Sequence, residues 1–294
     1  MICIIGADGF FGTYLQQHLL SLNLTETVIV FNHNKTENPF CEEIINEEFE
    51  LEDSKSIEKA AGIIKAYDDV KIIFLSAVHN PDKVKENPEK AEYLNTKCYE
   101  SFLKSIEAAD IKRLIYASSD TVYGESIDGH CFTENDEPKP INIYGHQKLL
   151  AEEITRKYGY STARFSYMCG PSLTNRKKHF YDEISNKLKN GERVYMLTDW
   201  VRSALSYKTA AEITYRYLIC EKDISTVNIC SDTAVSKYDI GLLIAKKENA
   251  DPSLVVPCTK KELGIFTEKR ADTIIMNNSL SKELGFAGNT SLLF

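Results

Sequence analysis

Three side chains could together move a proton: Tyr144 and Lys148, close in the chain, and Ser119 well before them. Tyr144 and Lys148 are four residues apart, so on a helix they share one face, a turn apart. A free tyrosine titrates near about 10 and is a poor base at neutral pH. A cation close by favours the phenolate and lowers that value. A serine hydroxyl beside the phenol would bond a reacting oxygen and hold it for proton transfer. Such a set suits a carbinol or carbonyl, with hydride carried by a nicotinamide whose ribose the same lysine can bond. Singly, each residue is commonplace. Tyr-x-x-x-Lys pairs are usually exposed helix contacts, and Ser-Ser at a strand end usually caps a turn.

These groups converge only if the surrounding elements bring them together. Ser119 follows the apolar run Arg113–Ala117, which reads as a strand, and ligands of doubly wound sheets bind at such strand ends. Tyr144 and Lys148 lie on a helix that starts near Ile143, after Pro138 and Pro140. The chain opens on the apolar run Ile2-Cys3-Ile4-Ile5, which fits a strand buried on both faces. Gly6, Gly9 and Gly12 follow at spacing three, with Phe10 and Phe11 between the last two. One glycine permits the sharp turn, one lets backbone N–H groups approach a phosphate, and one lets the helix pack on the sheet. The positive end of that helix would face a pyrophosphate. The bland reading is a tight strand-to-helix turn; its place directly after an opening strand points to nucleotide binding.

A second strand, Val28–Phe31, ends at Asn32-His33-Asn34-Lys35. An acid here commonly binds the ribose hydroxyls of NAD. Two amides, a histidine and a lysine stand instead, so Asn32 and Lys35 favour the 2′-phosphate of NADP, with NAD as the alternative. Asn also bonds a ribose hydroxyl, and Lys35 as readily points to water. The acidic stretch 42–53 leads to a helix capped at Asp53, with Ile57, Ala60, Ala61 and Ile64 as its apolar stripe. Val70–Leu75 is the next strand, and Ser76-Ala77-Val78 are small enough for a backbone to lie against a cofactor. Pro81 and Pro88 punctuate a loop before a long helix expected over 93–110. Strand and helix alternate about every 30 residues, which implies right-handed crossovers and a parallel sheet. Beyond a strand at 162–167 the alternation loosens. Arg176-Lys177-Lys178-His179 reads as a solvated basic face or, less readily, a phosphate contact. Thr209 to Glu212 has capping-box spacing, Val227–Cys230 is a short strand, and helices follow at 236–247 and 279–284. The fold class is therefore α/β, a Rossmann-type doubly wound parallel sheet over 1–170 with a smaller substrate-binding lobe mainly over 171–294. Segments near 200–235 are expected to return to the first part.

Composition bounds the function. In 294 residues, 43% are hydrophobic and 27% charged, ordinary for a soluble domain. No stretch approaches the ~20 apolar residues of a membrane span. A net charge of −8 argues against nucleic acid, and an anionic substrate would need a local basic patch. Eight cysteines without a C-x-x-C pair read as reduced, mostly buried thiols in the cytoplasm, and no metal ligand set stands out. Because the first strand starts at Met1, no leader peptide is expected.

With these motifs in place, the sequence resembles the extended short-chain dehydrogenase/reductase family over nearly its whole length. Gly6-x-x-Gly9-x-x-Gly12 resembles the family's cofactor loop, Leu75-Ser76-Ala77 its L-A-A strand end, and Asn95 its structural, cofactor-side Asn. Ser118 to Gly124 resembles its S-S/T-x-x-V-Y-G motif, Tyr144 and Lys148 its catalytic pair, and Arg164-Phe165 through Gly170-Pro171 its R-F-x-x-x-x-G-P segment. Asp199-Trp200-Val201-Arg202-Ser203 is similar to the D-x-x-R-S segment of dTDP-4-dehydrorhamnose reductase-like proteins, and Ala271 through Phe286 to the closing segment of nucleotide-sugar enzymes. The resemblance implies a reductase acting on a keto group of a nucleotide-linked sugar. It places Asp120, Tyr167 and Arg202 against the substrate, with Arg202 on its diphosphate. A 4-epimerase with tightly held NAD is the close alternative, and a non-catalytic cofactor-binding regulatory subunit the distant one. Dehydration is disfavoured, since Thr121 replaces the Glu of the dehydratase Asp-Glu pair. Tyr167 stands where many epimerases have Asn, Ala204 where reductases often have Pro, and Ser206 where they have an aromatic. Family members pair the helix beginning at Tyr93 with the Tyr144 helix, so a homodimer is expected.

Overall fold

Strand β1 (Ile2–Ile5) shows how the fold is layered. All four residues are fully buried, Ile2 and Ile4 in one apolar cluster and Cys3 and Ile5 in another. Side chains alternate along a strand, so β1 holds helices on both faces of its sheet. Each such side chain contributes roughly 1.5–3 kcal/mol by leaving water. The computed structural model describes residues 1–33, 40, 44–174, 179–264 and 269–286. Among these, β1 is joined by β2 (Val28–Asn32), β3 (Ile45–Glu48), β4 (Val70–Phe74), β5 (Ile111–Ser119), β6 (Ser161–Phe165) and β7 (Thr226–Ile229). They form one sheet in the order β7-β6-β5-β4-β1-β2-β3, every pair parallel. The order turns back between β1 and β4, the crevice where such sheets take ligands.

Helices Phe10–Ser21 and Tyr207–Leu218 pack on one face of the sheet; Ser54–Lys65 and Tyr99–Ser105 pack on the other. Ser54–Lys65 buries Ile57, Ala60, Ala61 and Ile64, and the Asp53 carboxylate accepts from Lys55 N–H at 3.1 Å. A second, four-stranded sheet takes Val235–Ser236, Val201–Arg202, Thr273–Met276 and Cys131–Phe132, in that order. Beside it Val194–Leu197 pairs with Val255–Cys258, under helices Phe180–Lys189 and Lys237–Lys247.

Four expectations are corrected. The acidic stretch before Asp53 contains a strand, β3; it lies at the sheet edge and is mostly polar, so no apolar run announced it. Pro81 and Pro88 do not interrupt a loop. Each sits in the first turn of a short helix capped by the asparagine before it, Asn80 or Asn87, where a missing N–H costs nothing. The helix expected to reach Asp110 ends at Ser105, and its stretch Tyr93–Cys98 is π-helical. Thr209 is not a cap: the helix starts at Tyr207, and the Ser206 hydroxyl accepts from Thr209 N–H at 3.1 Å. None of the described cysteines forms a disulfide; most are buried and Cys131 is exposed.

Candidate active site

Ser119 is the last residue of β5 and caps the turn that follows, accepting from Thr121 N–H at 3.3 Å. Helix Ile143–Lys157 starts against that turn. Its cap is Asn142, whose side-chain oxygen accepts from Gly145 N–H at 2.8 Å. A Cβ on Gly145 would lie 2.6 Å from the Thr121 carbonyl oxygen, so only glycine lets the helix come this close. That contact carries Tyr144 to the Ser119 hydroxyl and Lys148 to the backbone of β5. Both side chains are buried. The Lys148 ammonium donates to Ala117 C=O at 2.7 Å and to the Tyr116 hydroxyl at 3.1 Å, and lies 6.0 Å from the centre of the Tyr144 ring.

The electrostatics differ from the sequence expectation. Burial raises the Tyr144 phenol above its ordinary value, and the Asp120 carboxylate raises it further; the Ser119 hydroxyl opposes both. Burial also pushes Lys148 down to about 7, against the pull of Glu152. The cation therefore does not depress the phenol: desolvation outweighs it in the free protein.

The glycine turn adjoins this set. Gly6, at φ +82°, packs on the backbone of Ser76, where a Cβ would lie 2.9 Å from its nitrogen. A Cβ on Gly12 would lie 2.4 Å from the Ala7 carbonyl oxygen, so Gly12 sets the helix against its strand. At Gly9 the nearest atom to a Cβ is 3.7 Å away. Gly9 is also the cap of helix Phe10–Ser21; it has no side chain to bond the first N–H groups, and no acid stands in the first turn. An open, uncapped helix start fits the phosphates of a dinucleotide.

A cavity of about 550 Å³ runs from this turn past the ends of β4, β5 and β6 to the second sheet. It is lined by Gly6, Gly9, Phe10, Phe11, Gly12, Leu75, Ala77, Ser119, Asp120, Tyr144, Lys148, Tyr167 and Arg202 among the expected residues. Three others do not line it. Ser76 stands behind Gly6. Asn95 is buried under the loop, holding Val78 N–H at 2.8 Å and Val78 C=O at 3.2 Å, and donating to Gln147 at 2.9 Å. Asn32 is buried and donates to the Asn46 side chain at 3.0 Å. Lys35, Arg176, Lys177 and Lys178 lie outside the described residues. Near Asn32 the fold also supplies acids: Glu48 of β3 is its register partner, and Glu50 pairs with His33.

Arg202 lines the cavity where the second sheet begins. It is buried, with Nε 3.3 Å from Asp120. Its terminal nitrogens donate to the carbonyls of Val201 at 2.7 Å, Asp272 at 3.1 Å and Ala271 at 3.0 Å. Most of its donors are thus spent on holding the second sheet together, not on an open diphosphate site. Asp120 accepts from the Ser119 hydroxyl at 3.0 Å, and burial raises its carboxyl despite Arg202. The lining also includes residues that the sequence did not single out, among them Gly145's neighbour Asn142, Ser166, Lys237 and Arg270. The Ser166 hydroxyl is buried without a hydrogen-bond partner among the described residues. A cation at the start of helix Lys237–Lys247, against the helix dipole, was the one legible sign of Lys237.

Fold and site together define an oxidoreductase of the extended short-chain type, an enzyme with a place for a nicotinamide cofactor. The chain belongs to the family of the RmlD substrate binding domain, whose model matches residues 1–290. A probable low-salt glycan biosynthesis reductase of Haloferax volcanii is 24% identical over 237 residues, 79% of this chain and 78% of that protein. The N-acetyl-alpha-D-glucosaminyl-diphospho-ditrans,octacis-undecaprenol 4-epimerase of Escherichia coli O157:H7 is 30% identical over 162 residues, 53% of this chain and 43% of that protein. Methionine adenosyltransferase 2 subunit beta of Danio rerio is 36% identical over 231 residues, 71% of this chain and 65% of that subunit. The chain thus spans less than two thirds of the last two. A hypothetical dTDP-4-dehydrorhamnose reductase from Sulfolobus tokodaii has the same fold, with a TM-score of 0.78 at 24% identity, covering 96% of this chain and 94% of that one.

Proposed function

We propose that the protein reduces a keto group of a nucleotide-linked sugar. The observation that carries this reading is that Ser119, Tyr144 and Lys148 meet in the cavity that also contains the open turn at Gly9. When bound, a nicotinamide would supply the hydride. The chain would do the rest. Gly9 and the start of helix Phe10–Ser21 would hold the phosphates, and Leu75 and Ala77 would border the ring system. Tyr144 would give its proton to the carbonyl oxygen as that oxygen gains charge, and Ser119 would hydrogen-bond the same oxygen. Lys148 would hold the cofactor ribose, and its ammonium would balance the charge of the phenolate left when Tyr144 gives up its proton. Asp120 and Tyr167 would border the sugar.

The sequence Asn32-His33-Asn34-Lys35 supports NADPH; Glu48, the register partner of Asn32, and Glu50, paired with His33, support NADH. Comparing kcat/KM for the two coenzymes separates these. The reductase is tested by turnover of keto sugars linked to dTDP or UDP, with Tyr144→Phe as control. Loss of turnover with coenzyme affinity retained supports it; unchanged turnover in the variant refutes it. Protein that purifies with stoichiometric NAD and interconverts 4-epimers would establish the epimerase instead. The likeness to a methionine adenosyltransferase subunit supports a regulatory role only weakly, because the three catalytic side chains are all present.

The assembly proposed is a homodimer through helix Ile143–Lys157 and the stretch from Tyr93. Exposed apolar Tyr93, Ile143 and Leu150 on these elements support it, and sedimentation equilibrium tests it. Among the described residues no helix is long and apolar enough to cross a membrane. Work in the cytoplasm is proposed on the reduced thiols.

A further inference from the structure

Lys237 stands out among the cations of the cavity. Arg202 is engaged by Asp120 and three carbonyls, Arg270 pairs with Asp82 at 2.5 Å, and Lys148 donates to Ala117 C=O and the Tyr116 hydroxyl. Lys237 lines the cavity, partly buried; its backbone N–H donates to Trp200 C=O at 3.2 Å, but its ammonium has no hydrogen bond or ion pair to any described residue. Its ammonium is surrounded by rings instead: Trp200 and Phe180 each at 5.0 Å and Tyr167 at 5.8 Å. The Trp200 ring is shared with Arg202, whose guanidinium carbon lies 4.5 Å from its centre.

A partly desolvated ammonium among other cations is costly unless an anion answers it. Attraction to three ring faces offsets part of that cost and fixes the ammonium in position. The remainder shows as a fall to about 8, caused first by burial and then by Arg270 and Arg202. Asp120 is already paired with Arg202, and Asp82 with Arg270. The end of the cavity at the second sheet is therefore positive inside a protein of net charge −8.

We infer that Lys237, held by Trp200, Tyr167 and Phe180 and supported by Arg270, grips the diphosphate of the substrate, the task the sequence pattern assigned to Arg202. This rests on the reading above that the sugar is carried on a diphosphate. The chemistry recognised is a diphosphate ester, whether the other end is a nucleoside or a polyprenol.

The test titrates the NADPH-loaded protein with inorganic pyrophosphate, dTDP and farnesyl diphosphate, comparing wild type, Lys237→Met and Lys237→Arg. Loss of one charge-assisted contact weakens diphosphate binding about tenfold or more in Lys237→Met. Lys237→Arg keeps most of it, and NADPH affinity is unchanged in both. In turnover, KM rises in Lys237→Met while kcat stays close to wild type. Equal dTDP affinity in wild type and Lys237→Met overturns the inference, as does a wild type that binds neither pyrophosphate nor dTDP. Parallel loss of NADPH binding also overturns it, since that marks a general structural role. Lys237-dependent diphosphate binding without turnover of any nucleotide-linked sugar would leave this site standing and remove the reading above. Tighter binding of farnesyl diphosphate than of dTDP would assign the polyprenol source.

Discussion

Lys148 donates its shortest hydrogen bond, 2.7 Å, to the carbonyl of Ala117, two residues before Ser119 on the same strand. The ammonium is thereby tied to the strand that carries the Ser119 hydroxyl, and helix Ile143–Lys157 is pinned across it. Lys148 in this position orders the site mechanically as well as electrically.

That burial has a pH signature. The folded-state value of Lys148 is about 7, below its ordinary 10.5. Below the lower value both folded and unfolded chains carry the proton, and the desolvation cost is fully present. Between the two values only the unfolded chain holds the proton, so this group makes stability rise with pH through that window. Urea denaturation at pH 7 and pH 10 should show the rise in wild type and a smaller one in Lys148→Met. The variant should also lose turnover; an equal rise with pH in Lys148→Met would count against the assignment.

The glycines of the first turn should separate by substitution. Gly12→Ala forces a methyl against the Ala7 backbone and should cost about 1–3 kcal/mol or more, read as a lower Tm. Gly9→Ala has room and should melt close to wild type, yet bind dinucleotide at least tenfold more weakly. Equal cofactor affinity in Gly9→Ala would show that the phosphates lie elsewhere.

Arg164 and Glu152 form a buried pair at 2.7 Å, and Glu152 also accepts from the Ser118 hydroxyl at 2.5 Å. Removing Arg164 leaves that carboxylate without its charge partner, so Arg164→Leu should cost about 3–5 kcal/mol. Arg164→Leu with Glu152→Leu should recover part of the loss. A single variant within experimental error of wild type in urea would refute this.

Asp120 is one cause of the raised Tyr144 phenol. Asp120→Asn removes that negative charge and should move the Tyr144 limb of the pH–rate profile to lower pH. Movement upward, or none, would contradict the electrostatic account.

The parts of this arrangement visible in the sequence are those set by local rules. Gly6, Gly9 and Gly12 are dictated by a turn and by a helix lying on a strand, and Asp53 by a helix cap. β3 was hidden because an edge strand needs only one neighbour and little apolar surface. Asn80-Pro81 and Asn87-Pro88 looked like punctuation, although an Asn cap before Pro starts a helix as well as it ends one. Tyr144 and Lys148 gave away their shared face by spacing, but their ionisation depended on burial that spacing does not reveal. Arg202 was read by its pattern, while its partners at 271 and 272 come from a strand far along the chain. Nothing local places Lys237 against Trp200, because that meeting is made by the second sheet.

That second sheet draws Cys131–Phe132, Val201–Arg202, Val235–Ser236 and Thr273–Met276 from either side of β6 and β7. Its residues are therefore interleaved with the larger sheet and form no continuous cassette. Re-engineering which sugar the protein accepts, by borrowing from a relative, must proceed through individual lining positions such as Tyr167 and Lys237. A transplanted block would take the outer strand of the larger sheet with it.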